Sequence, residues 1–253
     1  MPEQKPSNAA MQKADATAAA VIRRRAAVRR DIYDQLAKPI KKRAFTVAGV
    51  ESAKALETIK ELIAQVPEGE DWATARKSVA EKVAEAWSGD AAEGHDPEAL
   101  REAATGKAEA LLKTHVFEAQ AVAAYKERTR FAADFPFVKY QTAGDGAVRP
   151  SHEALDGKIF AVDDPFLDNH TPPWDWGCRC TLVPMTEEDA MEQEENIATP
   201  DWRKKFKNKY GTEETTYSFH PSELATDEAD ALAGRSGMAR ELAAEIMEDG
   251  GEE

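Results

Sequence analysis

YQTAGDGAVRPSHEALDGKIFAVDDPFLDNHTPPWDWGCRCTLVP, residues 140–184, is an irregular stretch that contains both cysteines and two of the five histidines of the chain. Its many Pro, Gly and Asp residues favour turns. An ordered loop of this length loses backbone entropy that other interactions must offset. We therefore expect packed side chains or a bound ion to hold the stretch in one shape.

Three helices are predicted before this stretch. Apolar residues recur at helical spacing over 50–66 and again over 72–87. Asp96 followed by Pro97 is typical of a helix N-cap and first helical position, and this third helix is predicted to run towards Arg130. Gly106 is the one residue that could interrupt it.

The character of the sequence changes after Pro136. Residues 138–142, 158–162 and 181–184 form three short segments with β-like composition, separated by turn-forming clusters. Thr186 is a candidate start of another helix. The sequence therefore predicts an α+β protein with long amphipathic helices first and a small β-containing domain around the Cys-x-Cys loop.

Four regions follow from this pattern. Residues 1–43 are predicted to be a basic, partly disordered or loosely helical arm, whose basic helix stops or kinks near Pro39. Residues 44–132 form a helical domain, and residues 133–186 form the small α+β core. Residues 187–253 form a helical, acidic tail.

The charge of the chain is uneven. The net charge is −14, yet residues 1–43 carry eleven Lys or Arg against four acids. The overall charge argues against a protein that coats DNA over its whole surface. The basic region could be only a solvated helix face, or it could contact DNA or an acidic partner. The cationic residues considered for that contact are Arg23, Arg24, Arg25, Arg29, Arg30, Lys41, Lys42 and Arg43.

The sequence shows neither the apolar region of a signal peptide nor an apolar run of about 18 residues that would span a membrane. It therefore predicts a protein made in a cytoplasm, where thiols stay reduced. Two cysteines separated by one residue are also poor partners for a disulfide.

One interpretation of the loop is a structural zinc site. Cys178 and Cys180 would supply thiolates and His152 an imidazole, since these are the ligands that zinc prefers. Gly177 would let the chain turn so that both sulfurs face one point. Candidates for a fourth ligand are His170, Asp168 and Asp175.

Two other interpretations use the same residues. In the first, Trp174, Trp176 and the prolines pack a hydrogen-bonded loop around reduced, buried cysteines, without any cofactor. In the second, Cys178 is a nucleophile and His152 its base, as in a thiol hydrolase. Arg179 is expected to bridge carboxylates such as Asp163 or Asp164 rather than to act in catalysis.

The chain resembles the phage Mu F-like minor head proteins, which are related to the SPP1-type head morphogenesis proteins. The resemblance rests on RPSHEALDGKIFAVDDPF from Arg149 and PPWDWGCRC ending at Cys180, with AFTVAGVESAKALETIKELI from Ala44 and EDWATARKSVAEKV from Glu70 upstream. It covers about residues 30–185. The motif residues are Arg149, His152, Gly157, Pro173, Trp176, Cys178, Arg179 and Cys180.

The resemblance implies a virion component of a tailed phage or prophage. It would enter the procapsid in association with the portal, during assembly in the bacterial cytoplasm, and take part in head assembly or DNA ejection. Implied partners are the portal, the major capsid or scaffold proteins, and packaged DNA through the basic arm, with no membrane. It implies a non-enzymatic protein; the alternative is a thiol- or zinc-dependent hydrolase or a toxin-like effector packaged in the virion. Many relatives carry Cys-x2-Cys where this chain has Arg149 and His152, and a histidine where it has Asp175. His152 keeps a possible ligand, whereas Arg149 cannot be one.

Overall fold

A computed structural model describes residues 8–41, 43–90, 96–211 and 219–225, which fall into two compact units. The described residues up to Gln120, with Leu224 and Ala225, belong to unit 1, and Ala121–Glu223 form unit 2. Among the described helices, none combines the length and the apolar composition that a membrane crossing needs.

Unit 1 is helical, with one pair of very short strands. In chain order its elements are α1 (Asn8–Arg23), β1 (Ala26–Ala27), α2 (Arg30–Gln35), α3 (Lys38–Lys41), β2 (Ala44–Phe45), α4 (Ala53–Ala64), α5 (Trp72–Asp90) and α6 (Pro97–Arg130), of which the end of α6 lies in unit 2. The predictions for α4, α5 and α6 are confirmed, and α6 continues through Gly106 for 34 residues, about 50 Å.

Helix α4 lies at the centre of unit 1, because it packs against both α1 and α5. Its apolar face buries Leu56, Ile59 and Ile63 completely. The side chain of Ser52 accepts a hydrogen bond from the Ala55 N–H and caps the helix. Helix α6 joins this core through His115, whose ring lies 4.9 Å from that of Phe45 in β2.

The basic segment before residue 44 does not form the single helix that was predicted. Helix α1 ends at Arg23, and the chain then extends so that Ala26 and Ala27 pair in parallel with Ala44 and Phe45. This long-range pairing takes the backbone of β1 out of helical geometry, which local composition does not reveal. Residues 8–19, predicted to be disordered or loosely helical, belong to α1.

Unit 2 is built on a three-stranded antiparallel sheet in the order β4-β3-β5. After α6 its elements are β3 (Phe137–Gln141), α7 (Pro150–Glu153), β4 (Ile159–Ala161), α8 (Leu167–His170), β5 (Thr181–Met185), α9 (Glu187–Met191), a 3-10 helix (Glu194–Asn196), α10 (Pro200–Tyr210) and α11 (Ser222–Ala225), the last of which crosses the boundary between the units. The predicted strands and the helix start at Thr186 are confirmed.

The core of unit 2 joins the sheet to the helices that follow it. Val138 and Tyr140 of β3, Phe160 of β4 and Phe206 of α10 are buried together. Residues 187–210, which sequence analysis assigned to a separate tail, therefore pack on the small α+β core. The predicted acidic helix over 227–253 lies outside the described residues.

The units also divide the chain differently from the four predicted regions. Residues on both sides of position 43 share unit 1, because β1 pairs with β2 and α1 packs on α4. The boundary between the units along the chain falls between Gln120 and Ala121, within α6, whereas the predicted boundary was at residue 132.

Candidate functional site

One imidazole and two thiols converge at the end of the sheet in unit 2. The Nδ1 atom of His152 lies 3.5 Å from the Sγ atoms of both Cys178 and Cys180. His152 is 2% and Cys178 is 4% exposed, whereas Cys180 is partly buried at the start of β5. The three residues that sequence analysis proposed as zinc ligands are therefore brought together, although they are separated by 26 and 28 positions along the chain.

The imidazole is positioned by a partly buried aromatic side chain, Trp174. The ring of His152 stacks on that of Trp174 with centroids 4.1 Å apart and planes inclined by 10°. The Trp174 Nε1–H donates a hydrogen bond of 2.7 Å to the hydroxyl of Tyr140, which is fully buried. Sequence analysis named Trp174 only for packing and did not name Tyr140 as part of the site. Tyr140 could have been found from its inward position in the alternating pattern of β3.

The two thiols are electrostatically coupled. A hydrogen bond from Cys180 stabilises a Cys178 thiolate, which lowers the pKa of Cys178 despite its burial and raises the pKa of Cys180. Burial raises the pKa of Tyr140, and negative charge on the neighbouring sulfurs raises it further. The Tyr140 hydroxyl therefore stays protonated and is hydrogen-bonded with Cys180.

Three glycines of the loop have a positive φ: Gly144, Gly157 and Gly177. Gly177, at φ +67°, precedes Cys178, whose N–H donates to the carbonyl of Asp175. Gly157, at φ +73°, donates its N–H to the carbonyl of Tyr140 over 2.8 Å. No atom lies within 4 Å of a Cβ built on either glycine, so conformation rather than space favours glycine there.

Arg149 and Asp175 form an ion pair with each other. Arg149 Nε lies 3.1 Å from an oxygen of Asp175, and its Nη2 donates 2.6 Å to the carbonyl of Trp176. The pair ties the start of α7 to the loop before the cysteines.

Arg179 pairs with a carboxylate that sequence analysis did not name. It makes two hydrogen bonds of 2.7 Å to Asp145, and this guanidinium lowers the pKa of the Asp145 carboxyl. The expected ion pair of Arg179 with a carboxylate is therefore found, but the partner is Asp145 and not Asp163 or Asp164. Asp164 instead pairs with Arg203. Arg203 lies within reach of Asp164 because its helix, α10, packs on the core of unit 2.

The predicted candidates for a fourth ligand do not reach the cluster. Among the described residues, the group that could hold a metal consists of His152, Cys178 and Cys180 only. Asp175 is engaged with Arg149, and the Nδ1 of His170 faces the carbonyl of Phe166 at 2.8 Å. Asp168 is exposed on α8.

The tryptophans and prolines of the motif differ in burial. Pro173 is buried, and its bond to Pro172 is cis. Trp176, by contrast, is 53% exposed, so the expectation that both Trp174 and Trp176 pack the loop is corrected: Trp174 alone of the two stacks on His152.

The cationic residues of the N-terminal segment are largely engaged within unit 1. Arg25 is only 5% exposed and is therefore removed from the predicted contact surface. Arg23 pairs with two carboxylates of the helical unit, Glu61 and Glu68. Further pairs join Arg29 to Asp31 and Glu51, and Arg30 to Asp34.

The other candidate cations of that segment are Arg24, Lys41, Lys42 and Arg43. Lys41 donates to the carbonyl of Asp34 and lies over the ring of Tyr33, while Arg43 is partly buried next to β2. Arg24 is exposed, and Lys42 lies outside the described residues.

Comparison with known proteins gives one family and two relatives. The family model described as phage Mu protein F like protein matches residues 24–183. The chain is 30% identical over 171 residues to the Mu-like prophage FluMu F protein of Haemophilus influenzae, covering 67% of this chain and 41% of that protein. It is 30% identical over 156 residues to the "Putative capsid assembly protein F" of Escherichia phage Mu, covering 59% and 35%.

The chain thus spans less than half the length of these two relatives. No solved structure matches it. The matched region holds the helices of unit 1 from α2 onwards and the whole His152, Cys178 and Cys180 cluster.

Proposed function

The chain belongs to the phage Mu protein F like family, and from this membership we propose that it takes part in head assembly of a tailed bacteriophage or prophage. The observation that carries the proposal is the match over residues 24–183, together with the name of the relative from phage Mu, a capsid assembly protein. The proposed location is the virion head, reached from the cytoplasm of the host during assembly.

The finer part of the proposal concerns partners. We propose that the chain enters the procapsid in contact with the portal and with major capsid or scaffold proteins. The clasp, defined as His152, Trp174, Cys178 and Cys180, supports this by fixing a loop that ends in exposed Trp176. An exposed tryptophan on a fixed loop suits protein recognition, because little entropy is lost on binding.

The proposed role is structural rather than enzymatic. A thiol hydrolase needs an accessible nucleophile and a base whose second ring nitrogen is oriented by a third group. Cys178 is buried, and the Nε2 of His152 has no hydrogen-bond partner among the described residues. These two features favour a packed clasp over a thiol active site.

Purified procapsids and virions test this proposal. We expect the protein in both particles, and we expect portal to co-purify with an affinity-tagged chain expressed in phage-producing cells. A Trp176→Ala variant should weaken this co-purification at unchanged stability, while Trp87→Phe, a conservative change in unit 1, should leave it intact. Absence of the chain from both particles would contradict the proposal.

A second candidate function is contact with packaged DNA, and the specific observation in its favour lies in α10. Lys204, Lys205, Lys207 and Lys209 are exposed, and none forms an ion pair with another described residue. The opposite face of the helix buries Phe206 in the core of unit 2. Cations that are fixed on a packed helix, and that pair with no carboxylate in the described part of the chain, are better placed for phosphate than the paired arginines before residue 44.

Two multiple variants distinguish these surfaces. We expect replacement of the four α10 lysines by glutamine to lower the affinity for duplex DNA about tenfold or more. The slope of log affinity against log salt concentration should fall by the equivalent of roughly three to four phosphate contacts. Replacing Arg29 and Arg30 by glutamine should change affinity little. Fluorescence anisotropy over a salt series measures the affinity of both variants. A larger loss of affinity in the arginine variant would show that the N-terminal segment, and not α10, contacts DNA. If the unmodified chain binds no DNA, this candidate function fails.

A further inference from the structure

The convergence of one imidazole and two thiols is a donor set that the assembly role does not explain. We propose that the chain binds a single Zn²⁺ through His152 Nδ1, Cys178 Sγ and Cys180 Sγ. A water molecule completes the tetrahedron. The site does not depend on the role of the chain in the head.

The distances between the donor atoms fit a tetrahedral zinc ion. Zinc lies about 2.0–2.1 Å from a histidine nitrogen and about 2.3 Å from a thiolate, so a nitrogen and a sulfur ligand stand roughly 3.5 Å apart. Both distances from His152 Nδ1 to the sulfurs are 3.5 Å, and all three donor atoms lie within 4.8 Å of one another. An ion therefore needs little rearrangement of the ligands.

The ligands are held by contacts that do not involve an ion. Trp174 fixes the plane of the His152 ring, and the turn at Gly177 sets the direction of Cys178. Arg179, which lies between the two cysteines in sequence, forms an ion pair with Asp145 and so fixes the backbone between the two thiol ligands. Because the ordering of these side chains accompanies folding, little further entropy is lost when the ion binds.

The charge and chemistry of the donors select the ion. Two thiolates and a neutral imidazole balance the two positive charges of the metal, which suits a largely buried position. Sulfur and nitrogen donors favour zinc, whereas magnesium and calcium require oxygen ligands.

The fourth position faces a small cleft. The cleft has a volume of about 20 Å³ and is lined by the three ligands together with Ala143, Ala147, Val148, Arg149, Gly177 and Arg179. This volume accommodates about one water molecule. Arg149 holds Asp175 in an ion pair, so that carboxylate is occupied elsewhere.

Metal analysis of the full chain, expressed in zinc-supplemented medium and purified without chelator, tests the site. We expect one equivalent of zinc by elemental mass spectrometry. X-ray absorption at the zinc edge should give two sulfur scatterers at about 2.3 Å and two nitrogen or oxygen scatterers. Cys178→Ser and His152→Gln should each lower zinc content at least tenfold after dialysis against a weak chelator.

His170→Gln is the matched control, because His170 lies beside Trp174 but outside the cluster, and it should retain one equivalent. Zinc retained by Cys178→Ser, or zinc without sulfur scatterers in the unmodified chain, would overturn the proposal. An unmodified chain that takes up no added zinc would overturn it as well. If the serine variant does not fold, the absorption spectrum of the unmodified chain still decides.

Discussion

Replacing Arg25 by alanine is expected to destabilise unit 1 by about 3–5 kcal/mol, because it removes the cation that pairs with the buried carboxylate of Glu118. Arg25 Nη2 donates to Glu118 over 2.6 Å, and Nη1 lies 2.8 Å from His115 Nδ1. Both charged side chains are almost fully buried. Water cannot easily replace the lost partner.

Hydrogen exchange of α4 peptides in increasing urea measures this loss for unit 1 separately from unit 2. Arg29→Ala is the matched control: its pairs with Asp31 and Glu51 are exposed, so its removal should change the stability of unit 1 far less. The double variant Arg25→Met with Glu118→Leu should recover most of the stability, since no unpaired charge remains. Equal losses for Arg25→Ala and Arg29→Ala would show that the buried pair is not the cause.

The same residue illustrates what local sequence could not predict. Arg25 sits among arginines and alanines that favour a basic helix, yet its partner Glu118 lies 93 positions further along the chain. Helices α4, α5 and α6, in contrast, were predicted correctly, because apolar periodicity and the Asp96-Pro97 start are local signals.

The candidate site likewise combines residues that the sequence predicted with contacts that it did not. Its three donors were named from residue type alone, since a Cys-x-Cys pair with a nearby histidine in a turn-rich loop is a chemical signal. The Arg149–Asp175 pair was not predicted, and neither was the pair of Arg179 with Asp145. Several carboxylates lie within reach of each arginine in sequence, so only the folded loop decides which one it contacts.

Replacing Trp174 by alanine is expected to destabilise unit 2 by about 3 kcal/mol or more and to loosen the clasp. The change removes the ring that stacks on His152 and leaves the buried Tyr140 hydroxyl without the Trp174 donor. Exchange of peptides from β3 and β5 in urea measures the stability. The rate at which a soluble disulfide reagent modifies Cys178 in the native protein measures the clasp, and we expect it to rise at least tenfold.

Trp176→Ala is the matched control, because it removes the same type of side chain two positions further along the chain. Trp176 is 53% exposed. Its expected cost is within about 0.5 kcal/mol, with unchanged thiol reactivity. Trp174→Phe should fall between the two, since an aromatic face remains for His152 while the hydrogen bond to Tyr140 is lost. If the two alanine variants lost the same stability, Trp174 would not be the platform of the clasp. If Trp174→Ala destabilised unit 2 without exposing Cys178, the cysteines would be held by the backbone turn at Gly177 instead.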